Sequence, residues 1–158
     1  MKTFFTAVLV FTCASLLRAQ ENPNRIYYPK LGFSIQPLEE ESVGSNYVVL
    51  QMYLPPTEKG SPNINVMLQE YKESLEEYKI FSDMQLKSIN VSILSSAIKD
   101  NAYIVEYTGQ MSGKSIHVYT RAVKKGDRIY LITAAASPDQ WREYSGKLIR
   151  TVNSFRLQ

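Results

Sequence analysis

Thiol and imidazole chemistry are nearly out of reach for this chain, which has one cysteine and one histidine in 158 residues. A lone thiol forms no intramolecular disulfide and no cysteine zinc cage, and a lone imidazole must recruit carboxylates to hold a metal. Seven glycines and seven prolines are too few for a low-complexity chain, and no repeat of solenoid period is present. Beyond Leu17 no apolar run approaches the roughly 20 residues that cross a bilayer as a helix. Neither sign of charge dominates, with 18 basic residues against 15 acidic.

What is there begins with MKTFFTAVLVFTCASLLRAQ: a positive Lys2, an apolar run from Phe4 to Leu17, then a small residue at Ala19. This is the build of a secretory signal peptide over residues 1–19, with residues 20–158 as a single exported domain, periplasmic or extracellular. Cleavage after Ala19 puts Leu17 at the minus-three position, where a small side chain is preferred; cleavage after Ala14 meets that preference but shortens the apolar run. Cys13 admits two readings, an apolar residue in a discarded peptide or the lipidated anchor of an envelope protein. Phe11 and Thr12 before it and the apolar residues after it favour the first. Loss of residues 1–19 removes Lys2 and Arg18, leaving 16 basic residues against 15 acidic and a balance of +1. A near-neutral chain has no electrostatic footprint for nucleic acid and little for anionic lipid.

Hydrophobic periodicity supplies the elements. Residues 20–30 read as a lead-in, LGFSIQPL as a short strand, and EEESVGSN as an acidic loop. YVVLQMYL, Tyr47–Leu54, is apolar at both alternating sets of positions, as in a strand covered on both faces. Ile64, Met67, Leu68, Tyr71, Leu75 and Tyr78 share one stripe of a 3.6-residue helix, which predicts a helix from Asn63 to about Phe81. LKSINVSIL, Leu86–Leu94, alternates as a half-exposed strand. AYIVEYTG, SIHVYTRAV and RIYLITAAA follow as strands joined by QMSGK and KKGDR, hence consecutive hairpins. In the last segment Ser137 caps a helix, Pro138 fills its first position and Gln140 completes a capping box. Trp141, Tyr144, Leu148, Val152 and Phe155 then form its apolar stripe. Two amphipathic helices and a strand-rich middle predict an α+β fold, an antiparallel sheet sandwiched between helices on both faces (α/β/α).

The segments GFSI at residues 32–35, YIVEYTGQMSGKSIHVYTRAVKKGDRIYLITAAAS at 103–137, and SPDQWREYSGKLIRTVNSFRL at 137–157 resemble the PsbP-like superfamily. That superfamily also holds the Mog-type Ran-binding proteins and the DcrB-type exported proteins. In such domains a pair like Asn153–Ser154 followed by Phe155 and Arg156 ends the last helix. The resemblance spans about Tyr27 to Leu157. It implies a scaffold that is generally non-catalytic and serves binding and assembly, including in photosystem II. Its motifs are packing residues, and no functional residue carries over.

Candidates for chemistry are sparse. His117 invites a hydrolytic triad or a zinc site with Glu106 or Asp127, but zinc needs two further protein ligands. Read plainly, it is a strand histidine, hydrogen-bonded or solvated. Glu39, Glu40 and Glu41 lack the spaced acidic–glycine pattern of a calcium loop. Lys124, Lys125 and Arg128 flank a turn, where charge keeps the tip soluble, and a phosphate site is the lesser reading. Gly109 and Gly113 read as hairpin glycines rather than a phosphate cradle. Asn90-Val91-Ser92 is a glycosylation sequon, meaningful in a eukaryotic secretory pathway. Eleven tyrosines are many for this length. Tyr27, Tyr28, Tyr47, Tyr53, Tyr103, Tyr107, Tyr119 and Tyr130 lie in or beside strands, and a subset lining a groove would suit a peptide or small ligand. The expectation is an exported, non-enzymatic domain binding a protein or small ligand, with no catalytic residue, no cofactor, no metal, no nucleic acid and no transmembrane segment in the mature chain. The alternatives are an envelope protein tethered through Cys13, and an enzyme using His117 or a carboxylate pair.

Overall fold

A computed structural model of the chain describes residues 26–28, 32–35, 47–58 and 60–158. The chain divides into two compact units, Met1–Ser42 and Val43–Gln158. The first contains a small antiparallel hairpin, β1 (Ile26–Tyr28) paired with β2 (Phe33–Ile35). β1 therefore occupies part of the segment read as a lead-in. The segment 1–19, Cys13 and Glu39–Glu41 lie outside the described residues.

The second unit is built on a six-stranded antiparallel sheet in the order β3-β4-β8-β7-β6-β5. Its strands are β3 (Tyr47–Tyr53), β4 (Asn63–Glu70), β5 (Ser92–Lys99), β6 (Ala102–Met111), β7 (Lys114–Lys125) and β8 (Arg128–Ala136). The helices are α1 (Leu75–Ser88) and α2 (Pro138–Asn153). The chain is thus α+β, and among the described residues no helix is long and apolar enough to cross a membrane.

The three hairpin strands β6, β7 and β8 stand where periodicity puts them, and so does α2. Ser137 caps α2, accepting from the Gln140 N–H, with Pro138 in the first turn. Ser112 and Gly113, at φ 51° and 76°, make the two-residue turn between β6 and β7. Gly109 is no hairpin glycine: it lies inside β6, and a Cβ there would come within 2.6 Å of Val91 Cγ1.

Three expectations fail. The helix expected from Asn63 is β4 for its first eight residues, and α1 begins only at Leu75. Ile64, Val66 and Leu68 are buried while Asn63, Asn65, Met67 and Gln69 are half-buried, a period of two. The ladder to β8 runs from Asn63↔Ala135 to Glu70↔Arg128 and supplies the backbone with partners that a helix would have to find within itself. Leu86–Ser88 belong to α1 and Ile89 is its C-cap, so the following strand starts at Ser92. β3 is a sheet edge, with Val48, Val49, Met52 and Tyr53 all at least 40% exposed, so it is not covered on both faces.

Two cores form. Ile64, Val66, Tyr119, Ile132, Ala134 and Ala136 pack with Trp141, Leu148 and Val152 of α2. Tyr103, Val105, Ala122 and Ile129 pack with Tyr78 of α1, flanked by Leu75, Leu86 and Leu131. Tyr71, Tyr78 and Tyr103 stack edge to face at 5.0 and 6.2 Å, a geometry that aromatic quadrupoles favour. Both edge strands carry one extra residue against their neighbours: Val49 in β3 and Leu94 in β5.

Candidate functional site

β6 and β7 pair with Thr108 opposite His117 and Glu106 opposite Tyr119, which sets Glu106 and His117 diagonally on one side of the sheet. There His117 Nε2 lies 2.6 Å from Glu106 Oε1. The imidazole also stacks on the indole of Trp141, centroids 4.2 Å apart and planes 10° from parallel. The His117 side chain is 15% exposed and that of Glu106 26%. Asp127, the other carboxylate considered from sequence, sits in the turn after β7, where its carbonyl accepts from the Tyr71 N–H, and does not join the cluster. Among the described residues no three His, Cys, Asp or Glu side chains are grouped to hold a metal ion. With one edge held by a carboxylate and one face by an indole, the histidine pins the first turn of α2 to the sheet.

Two of the three basic residues at the β7–β8 turn are also engaged. Lys124 Nζ donates to the carbonyls of Tyr71 and Gly126, both at 2.7 Å, and Lys125 Nζ donates to the Gln158 carbonyl. Arg121 donates to the Phe155 carbonyl and Arg156 to those of Asn153 and Phe155. A concavity of about 540 Å³ beside Lys99, Arg121 and Arg156 therefore has two of its cations turned to the carbonyls at the end of α2.

A groove on the α1 side is built differently. Its volume is about 250 Å³, and it runs between Ser82 and Leu86 of α1 and the strands β4, β8, β7 and β6. Asn65, Thr133, Thr120 and Val105 form one cross-strand row of its floor, and Met67 and Leu131 begin the next. The Thr120 and Thr133 hydroxyls bond each other at 3.1 Å. At one wall the Tyr103 hydroxyl donates to Asp83 Oδ1 at 2.6 Å, and burial raises the Tyr103 pKa, with that bond adding to it. Tyr107 also lines the groove, and burial raises its pKa too. Neither the Tyr107 hydroxyl nor the Asn65 amide has a hydrogen-bond partner among the described residues. Each retains capacity toward the groove. Ser82 adds one more hydroxyl, Leu86 an apolar side chain, and the lining holds no charged side chain.

Of the tyrosines singled out from sequence, Tyr103 and Tyr107 line this groove and Tyr119 is buried. Tyr130 packs on Phe155, while Tyr27 and Tyr53 are about half exposed or more. The side chains of Tyr28 and Tyr47 lie outside the described residues. Asn65, Met67 and Thr133 went unnoticed as site residues. The Ile64–Val66–Leu68 alternation, set against Asn63, Asn65 and Gln69 and broken only by Met67, is the signal that marks the strand carrying the first two.

No protein-family model matches the sequence, and no curated protein matches it significantly. Among solved structures, a Pseudomonas aeruginosa protein of unknown function, PA94, superposes with a TM-score of 0.56 at 8% identity, over 85% of this chain and 96% of its own. The cyanobacterial PsbP (CyanoP) of Synechocystis gives 0.45 at 12% identity over 61% and 68% of the two chains. LpqN of Mycobacterium tuberculosis, involved in cell envelope biogenesis, gives 0.47 at 14% over 76% and 87%. The chain thus shares its fold with the Pseudomonas protein, and the two weaker superpositions add nothing to that.

Proposed function

We propose that the chain is an exported, non-enzymatic binding domain of PsbP-like α/β/α build, whose ligand site is the groove between α1 and strands β4 and β8. Alternate residues of β8 go to different cores, Ile129 and Leu131 to that of α1 and Ile132 and Ala134 to that of α2. In a pleated strand such alternation supports helices on opposite faces. The signal-peptide pattern of residues 1–19 supports export. The observation that carries the binding role is a floor mixing apolar Val105, Met67 and Leu131 with Asn65, Thr120 and Thr133, beside which the Asn65 amide and the Tyr107 hydroxyl stay unengaged, and a few polar groups among apolar ones suit a small-molecule site.

The groove, at about 250 Å³, takes a small neutral molecule with a hydroxyl or amide, since its lining offers donors and acceptors but no charge. The test is an NMR titration of the exported protein with neutral phenols and small amides. Saturable shifts at Asn65, Tyr107 and Thr133 that vanish in Thr133→Phe, which fills the groove, support the reading. A panel giving no saturable shift at those residues sinks it.

A second reading is favoured by the 2.6 Å contact alone: His117 and Glu106 acting as a general acid–base pair. Any turnover abolished by His117→Gln, in a variant still folded, would move the chain to that class.

A further inference from the structure

The apolar residues of α1 divide between two sides of the helix. Leu75, Tyr78 and Leu86 face the core, while Ile80, Phe81 and Met84 are 59%, 50% and 64% exposed on the far side. At 100° per residue, Glu77, Ile80, Met84 and Lys87 fall within a stripe of roughly 80°, with Phe81 beside it. Large apolar side chains gathered on an outer helix face mark an association surface.

The spacing identifies what covers it. Glu77, Ile80, Met84 and Lys87 are separated by three, four and three residues, a sequence that reads the same from either end about residue 82. Two copies of α1 laid antiparallel across a two-fold axis there would set Ile80 against Met84 of the partner subunit. The same operation sets Glu77 against Lys87 of the partner subunit, twice, as an isologous interface requires. A parallel arrangement instead places Glu77 on Glu77 and Lys87 on Lys87, which like charges oppose. The carboxylate is already positioned: its Oε2 accepts from the Ser74 N–H and hydroxyl at 2.9 Å each, which leaves Oε1 for the lysine. Ile80, Phe81 and Met84 together present roughly 400 Å² per copy, an apolar centre for the ~800 Å² per partner of a standard interface.

We propose that this face of α1 is a homodimer interface, the two helices antiparallel, with Ile80 and Met84 at its centre and Glu77–Lys87 ion pairs at its ends. Sedimentation equilibrium of the full chain tests it. The wild type is expected to be dimeric at about 100 µM, with the dissociation constant raised at least tenfold by Met84→Glu and severalfold by Lys87→Glu. Both substitutions lie on exposed positions, and an unchanged thermal midpoint for the monomer excludes misfolding as the cause. A wild type that stays monomeric at that concentration, or a Met84→Glu chain that dimerises as well as wild type, overturns the proposal. Orientation is read by oxidising an equal mixture of Ile80→Cys and Met84→Cys chains in a Cys13→Ser background. A predominant mixed disulfide supports the antiparallel pair. Predominant Ile80→Cys homodimers, or a dimer without any cross-link, overturn it.

Discussion

Val91 and Gly109 meet so closely that the glycine is fixed by space rather than by backbone angle. A methyl group at residue 109 would stand 2.6 Å from Val91 Cγ1 and 3.2 Å from its Cβ, and a β-branched side chain is stiff about χ1. Gly109→Ala is therefore expected to destabilise the fold by about 1–3 kcal/mol, measured by urea denaturation. A stability equal to wild type would show that β5 and β6 part easily at that end. Sequence could place this glycine in a strand-rich region but could not distinguish a turn glycine from one under a valine. The contact joins residues 18 apart whose facing depends on the extra residue Leu94 in β5.

At the scale of elements, Gln140 joins two of them. Its side-chain oxygen accepts from the Ser137 N–H and hydroxyl, and its Nε2 donates to Thr57 Oγ1 at 2.8 Å and to the Gly60 carbonyl at 2.9 Å. The amide thus closes the start of α2 and holds the loop between β3 and β4. Gln140→Glu keeps the acceptor toward Ser137 but turns an oxygen on the Gly60 carbonyl, a mismatch that is expected to cost about 1–3 kcal/mol at neutral pH. Part of that loss should return near pH 4, where the protonated acid can donate; an equilibrium unfolding series across that range checks it. The capping half of this role was legible, because a serine three residues before a glutamine ahead of an apolar stripe has a local cause. The half that reaches Thr57 and Gly60 was not, since nothing local records a partner 80 or more residues away. The same limit explains β4. Its Ile64, Met67 and Leu68 satisfy a helical period by coincidence, and pairing with β8 decides the outcome. With β4 misread, the groove lost Asn65 and Met67 and could not be assembled from sequence.

For the whole molecule, one carboxylate that joins three elements contributes to acid tolerance. Burial acts to raise the pKa of Asp83, but hydrogen bonds from Lys79, Tyr103 and Ser96 outweigh it and hold the group below its usual value. Tyr103 Oη lies at 2.6 Å and Ser96 Oγ at 2.8 Å from it, so α1, β5 and β6 all meet there. A carboxyl with a lowered folded-state pKa contributes stability above its unfolded value of 3.8 and loses it as pH falls through the folded one. The stability gap between wild type and Asp83→Asn should accordingly stay level above about pH 5 and narrow below about pH 4. Urea midpoints at a series of pH values measure it, and a gap that is constant down to pH 2 would remove Asp83 from the account.

The surplus residues Val49 and Leu94 give both rims of the sheet a limp. A newcomer strand laid along either margin would fall out of step where it passes the extra residue, so neither margin invites endless stacking of one molecule upon the next. Oily side chains can then sit in water along β3 without seeding fibres, and any stable meeting between copies must come through side chains rather than through a lengthened sheet.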